Sequence, residues 1–149
     1  MRYIFLDIDG VLNDHAKHVN GYCGIKSSCV EILNCILYAT DAKLIISSAW
    51  RYLVHNGSMT LTGFENLLLS HGVNCYQKVH GVTRKDVSVE VCDRGEQIAE
   101  YVREHNIEKY VVLDDLDLGI SRAGHPFCRT NGRTGLVDDN YYHVMELLK

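Results

Sequence analysis

The chain has 149 residues, 46% of them apolar and only one a proline, which suits one compact core and excludes a disordered chain. Its net charge of −4 excludes a globally basic surface for nucleic acid, and no apolar run reaches membrane-spanning length. Asp7 and Asp9 interrupt any signal-peptide core, so a cytoplasmic location is expected; six cysteines with no C-x-x-C pair predict free, mostly buried thiols and no zinc site.

The first element is a buried strand over Tyr3, Ile4, Phe5 and Leu6, ending abruptly in Asp7, Ile8, Asp9 and Gly10. Two carboxylates two residues apart at the mouth of a buried strand repel each other unless one is protonated or a cation lies between them. A hard, oxygen-seeking ion such as Mg²⁺ suits them. A polar loop follows; His15 and His18 there are metal-ligand candidates, although loop histidines are more often solvated. Ser28 and Glu31 have capping-box spacing and predict a helix with Val30, Leu33, Ile36 and Leu37 on its buried face, fading near Thr40.

Lys43 to Ser48 predicts a second strand, running into Ala49, Trp50 and Arg51 and a looser loop. Thr62 and Glu65 predict another capped helix through Phe64, Leu67 and Leu68, with Gly72 as its terminator. Val73 to Val79 is the expected third strand. A long polar connection leads to a helix opened by Asp93 and Glu96, with Ile98, Ala99 and Val102 as its apolar face. Lys109 to Leu113 is the fourth strand, stopped by Asp114, Asp115, Leu116 and Asp117. A fifth strand is expected around Pro126 to Arg129, the proline marking a strand start or sheet edge. A last helix runs from about Asp139 to Leu148, with Val144, Leu147 and Leu148 buried. Alternating strands and helices predict an α/β fold: a doubly wound, Rossmann-like parallel sheet of about five strands. The chain reads as one domain over 1–149, with no segment long enough for a cap.

In such a sheet the C-terminal strand ends gather on one side, where ligands bind. That brings together Asp7 with Asp9, Ser47 with Ser48, and Asp114 with Asp115, beside Arg94 at a helix start. Carboxylates for a cation, a hydroxyl donor and a guanidinium match the needs of phosphoryl transfer.

These stretches resemble the four motifs of the haloacid dehalogenase (HAD) superfamily of aspartate-dependent phosphatases: FLDIDGVLN, IISS, Arg94 near Gly95 and Glu96, and VVLDD. SSAWR and a late TGL before the last helix further resemble the small HAD domains of RNA-repair proteins and the phosphatase half of polynucleotide kinase-phosphatases. The resemblance implies Asp7 as nucleophile, forming an aspartyl-phosphate, and Asp9 as the acid that protonates the leaving oxygen and then activates water. It implies Mg²⁺ on the Asp7 carboxylate, the Asp9 carbonyl and an acid of the fourth motif, Asp115 or Asp114, with Asp117 a further candidate. Ser48 or Ser47 donates to the phosphate. Arg94 stands where the family usually has lysine, with Lys85 as the alternative. Trp50 either stacks on substrate or packs, and Arg51 either reaches phosphate or is a surface charge. An uncapped site stays open to a large substrate such as a polynucleotide 3′-phosphate end. Arg51, Lys78, Arg84, Lys85, Arg94, Arg122, Arg129 and Arg133 are candidates for a basic rim around it. A binding module without turnover, or a phosphatase of small metabolites or phosphoproteins, is the competing expectation.

Overall fold

A computed structural model describes residues 1–14, 18–19, 22–86 and 92–149. His15 lies outside the described residues, as do the side chains of His18 and Cys23. The elements in chain order are β1 (Tyr3–Leu6), β2 (His18–Val19), β3 (Tyr22–Cys23), α1 (Ser27–Thr40) and β4 (Lys43–Ile46). A single 3-10 turn (Ala49–Arg51) follows, then α2 (Tyr52–His55), α3 (Leu61–Ser70), β5 (Val79–Val82), α4 (Arg94–Glu104), β6 (Tyr110–Asp114), β7 (Phe127–Arg129) and α5 (Asp138–Leu147).

Five strands form an all-parallel sheet in the order β5-β4-β1-β6-β7. β2 and β3 form a separate antiparallel hairpin. The central strands are apolar on both faces because helices cover both. Ile4, Leu6, Leu44, Ile46, Val111 and Leu113 join the larger core with residues of α1, α3 and α5. Phe5, Ile45 and Val112 face the other way, against Ile98 of α4. This is the expected α/β architecture, and among the described residues no separate cap stands over the sheet.

Several local expectations are corrected. The Ser28–Glu31 capping box is not used: α1 begins at Ser27, after Lys26, two residues before a Ser28 cap would start it, and without a side-chain cap. α3 is capped by Thr60, which accepts from the Gly63 N–H, and not by Thr62. Gly72 does end that helix, in a left-handed conformation that lets Val73 N–H reach back to the Leu68 carbonyl. The third strand in sequence is Val79–Val82 and not Val73–Val79. Val73 and Cys75 are buried, but in a chain of tight turns, with Cys75 N–H on the Val73 carbonyl and Lys78 N–H on the Cys75 carbonyl. The segment after Arg51 holds the short helix α2, where a loose loop was expected. Five described cysteines are free thiols; Cys29, Cys75 and Cys128 are buried, Cys35 and Cys92 exposed. No helix of the described residues is long and apolar enough to cross a membrane.

Candidate active site

The site lies where β1, β4 and β6 end. Side chains alternate across a strand, so Asp7 continues the face of Phe5, Ser47 that of Ile45, and Asp114 that of Val112. That is the face on which α4 packs, and α4 opens with Arg94. Gly95 sits so close to the loop after β6 that a Cβ there would collide with the Gly119 carbonyl, and its N–H donates to the Leu118 carbonyl. This approach brings Arg94 onto the strand ends. Its Nη1 lies 2.5 Å from Asp114 Oδ2 and 3.5 Å from Asp7 Oδ1.

Asp7, Asp114 and Asp115 are all buried, each offering a carboxylate oxygen within 4.8 Å of the others. Burial and the neighbouring Asp114 charge push the Asp7 carboxyl well above the usual carboxylate range, with Arg94 opposing. Burial also pushes Asp114 up, again against Arg94. Burial alone would lower the Arg94 guanidinium, but Asp114 and Asp7 outweigh it and hold it above its ordinary value. Three carboxylates against one guanidinium leave the cluster short of positive charge. Hard oxygen donors at this spacing fit Mg²⁺. Asp114 is committed on both oxygens, to Arg94 and to the Leu116 N–H. Asp115 stands beside Asp7, and its charge raises the Asp7 carboxyl further. Asp117 is outside the cluster; its Oδ1 accepts from the Ser121 N–H at 2.8 Å.

Asp9 leaves the cluster in another direction. Its Oδ2 accepts from Trp50 Nε1 at 2.9 Å and its Oδ1 from Asn13 Nδ2 at 3.0 Å. Asn13 Oδ1 in turn accepts from the Gly10 N–H at 2.8 Å. The DGVLN loop is braced from beneath by the segment before α5. Thr130 Oγ1 donates to the Gly10 carbonyl, Leu136 N–H to the Val11 carbonyl, and a Cβ on Gly135 would lie 2.8 Å from the Val11 oxygen. That contact, and a φ of 68°, require glycine in the TGL stretch.

The two serines take different positions. Ser48 Oγ accepts from the Trp50 N–H at 3.1 Å and caps the 3-10 turn. Ser47 Oγ is buried with no partner among the described residues. The Trp50 ring packs against the larger core. Arg51, expected to reach phosphate or solvent, is fully buried. All five of its N–H donors are used: Nε on the Arg84 carbonyl, Nη1 on the Ser47 and Ser48 carbonyls at 3.1 and 2.8 Å, and Nη2 on Asp86 and Gln97. Asn13, Asp86 and Gln97 were not foreseen as parts of the site; only the Asn ending the first motif carried a signal in the sequence.

The basic residues divide. Lys78 pairs with Asp41 at the N-terminal edge of the sheet, away from the site. Arg84 pairs with Glu100, and Arg122 with Asp93 beside α4. Arg129 Nε donates to the Asp115 carbonyl, while Lys85 and Arg133 are exposed.

No curated protein matches the chain. A family model described as the HAD domain in Swiss Army Knife RNA repair proteins matches residues 3–141. The match runs from the first residue of β1 into α5 and takes in the strand ends, Arg94 and the bracing TGL segment. By that match, the chain belongs to the HAD domain family of the Swiss Army Knife RNA repair proteins.

Proposed function

We propose that this HAD domain is a Mg²⁺-dependent phosphomonoester hydrolase working through an aspartyl-phosphate, with polynucleotide 3′-phosphate ends as substrate. The coarse assignment, a HAD-type phosphatase, is supported by family membership. The observation that carries the mechanism is the buried Asp7–Asp114–Asp115 cluster with Arg94 set against it. Asp7, Asp115 and the Asp9 carbonyl would hold the metal, with Asp114 orienting Arg94 and supporting them. When bound, Mg²⁺ supplies positive charge against the phosphate oxygens and lets Asp7 stay ionised.

The chain's own groups do the rest. An Asp7 carboxylate oxygen attacks phosphorus in line, and the bond from phosphorus to the leaving oxygen breaks. Asp9 gives that oxygen its proton. Asp9 then takes a proton from water as the water oxygen attacks phosphorus, and the bond to Asp7 breaks, releasing inorganic phosphate. Arg94 and the buried Ser47 hydroxyl face the transferring group as donors. We assign this role to Ser47, whose buried hydroxyl has no partner among the described residues and lies on the strand face of Asp7, whereas Ser48 Oγ is turned to the Trp50 N–H.

The substrate reading is supported by the absence of a separate cap among the described residues, by the RNA-repair setting named for the family, and by Arg122 and Arg129, which meet Asp93 before Arg94 and the Asp115 carbonyl. Arg51 and Lys78 leave the rim, being consumed elsewhere. The test is a Mg²⁺-supplemented panel of oligonucleotide 3′- and 5′-phosphates, mononucleotides, sugar phosphates and phosphopeptides, run with wild type and Asp7→Asn. Asp7→Asn should lose all turnover. kcat/KM on the oligonucleotide 3′-phosphate should exceed that on the mononucleotide by about tenfold, some 1.4 kcal/mol. Equal efficiency would overturn the polymer-end reading, and turnover by Asp7→Asn the mechanism.

A further inference from the structure

The SSAWR turn carries a tryptophan whose polar edge reaches 41 residues back along the chain to Asp9, while its ring packs on the core. An indole Nε1–H only donates, so it holds the Asp9 carboxylate by one oxygen and cannot exchange roles with it. The other oxygen is held by Asn13, whose amide orientation is fixed because its oxygen takes the Gly10 N–H. Asp9 is therefore gripped at both oxygens by neutral donors from two separate elements.

The grip is itself fixed. Trp50 N–H is capped by Ser48 Oγ, and the next residue, Arg51, anchors the turn to Ser47, Ser48, Arg84, Asp86 and Gln97. Asn13 is buried inside the loop that Thr130 and Leu136 brace. Neither donor turns without disturbing buried hydrogen bonds. An acid that must meet a leaving oxygen gains from such preorganisation, because small misplacements of a reacting group cost large factors in rate.

We propose that Trp50 is a positioning residue for Asp9: its indole N–H, with the Asn13 amide, aims the carboxyl that serves the leaving group, and it is not a stacking platform for substrate. The proposal rests on the phosphatase reading for its kinetic consequence, while the contact itself is testable without turnover.

Trp50 is the chain's sole tryptophan. Its indole N–H gives one cross-peak in a ¹⁵N–¹H spectrum, and Asp9→Ala, which removes the acceptor, should shift that peak and speed its exchange with solvent. Trp50→Phe keeps an aromatic ring against the core but loses the donor together with the five-membered half of the indole. It should melt within a few degrees of wild type. Its kcat/KM, which reports only the steps up to departure of the leaving group, should fall about tenfold on an alkyl phosphate, whose leaving oxygen needs a proton. On p-nitrophenyl phosphate, whose leaving group departs as the anion, kcat/KM should fall much less, whereas kcat there also carries the water step that Asp9 serves. An indole peak unmoved by Asp9→Ala overturns the proposal. So does a Trp50→Phe variant with equal losses on both esters, or one whose only defect is a raised KM for oligonucleotides, the mark of stacking. An inactive wild type overturns the phosphatase reading instead, and the indole resonance still decides whether Trp50 holds Asp9.

Discussion

Replacing Arg51 with methionine removes a fully buried guanidinium and its five side-chain hydrogen bonds at once, although the Ser48 carbonyl keeps the N–H of residue 51 and Asp86 keeps Tyr52 and Gln97. Methionine fills similar volume but offers no donor. Breaking a buried charged pair by deleting one partner costs about 3–5 kcal/mol, and each carbonyl left dry adds about 1–3 kcal/mol. The Asp86 side chain keeps 16% of its exposure, so water recovers part of that loss. We expect a net cost of about 4 kcal/mol, a large share of the about 5–15 kcal/mol that typical domains possess. With a urea slope of about 1.5 kcal/mol per molar for a chain of this size, the midpoint should fall by about 2–3 M. Arg51→Lys should recover little, because an ammonium donates from one point and cannot span acceptors arranged around a planar fork. Urea unfolding of the three proteins followed by circular dichroism measures this directly. A loss under about 1 kcal/mol, the scale of an ordinary substitution, would refute the reasoning that Arg51 ties β4, the Arg84–Asp86 segment and α4 together.

Mg²⁺ at 100 times its Kd should add about 2.7 kcal/mol and raise Tm by about 5–10 °C, an effect that EDTA reverses and Asp115→Ala weakens more than Asp117→Ala; a Tm indifferent to Mg²⁺ contradicts the cation site. Gly95→Ala should cost about 2–3 kcal/mol in thermal unfolding, because the new methyl meets the Gly119 main chain and no flexible side chain can yield; unchanged stability would show that α4 is free to move back. Burial alone would raise the Asp86 carboxyl, but hydrogen bonds from Tyr52 and Gln97 and the Arg51 charge outweigh it and hold it below its ordinary value. Its stabilisation is then present above the unfolded carboxylate value and lost as pH falls through the folded one. Asp86→Asn should therefore be less stable than wild type at pH 7, with the gap narrowing as the pH falls through the lowered Asp86 value; a gap that stays constant into acid would contradict this.

The sheet's centre was legible because β1, β4 and β6 are unbroken apolar runs ended by polar residues, and a parallel order then forces those ends together. The edge was not. Val73, Cys75 and Val79 look like alternating strand residues, yet Asn34 holds the Asn74 N–H and keeps that segment in turns. The true edge strand, VHGV, contains a glycine over which the Tyr101 hydroxyl sits, a contact no local pattern encodes. The helix starts missed for a similar reason, since Thr60 and Thr62 are both plausible caps and only the packed chain selects one. Within the site, the carboxylates and Arg94 announced themselves by their place at element ends. Arg51 and Trp50 did not. A cation in a loop reads as solvated unless five acceptors from distant segments surround it, and an aromatic beside it gives no hint of which acid its nitrogen meets.

Tyr3 pairs with Lys43 on one flank and with Tyr110 on the other. The strand bearing Asp7 thus waits for a second neighbour that follows it by about a hundred residues, and for the TGL brace later still. No hairpin or local unit contains the cluster. Parallel pairings of this span close slowly, because loop entropy is lost before contacts repay it. The Asp7–Arg94–Asp114 geometry therefore exists only once the last parallel strands have docked. Recovered turnover after dilution from denaturant should lag behind recovered helix signal, making activity a clock for the end of folding rather than for collapse.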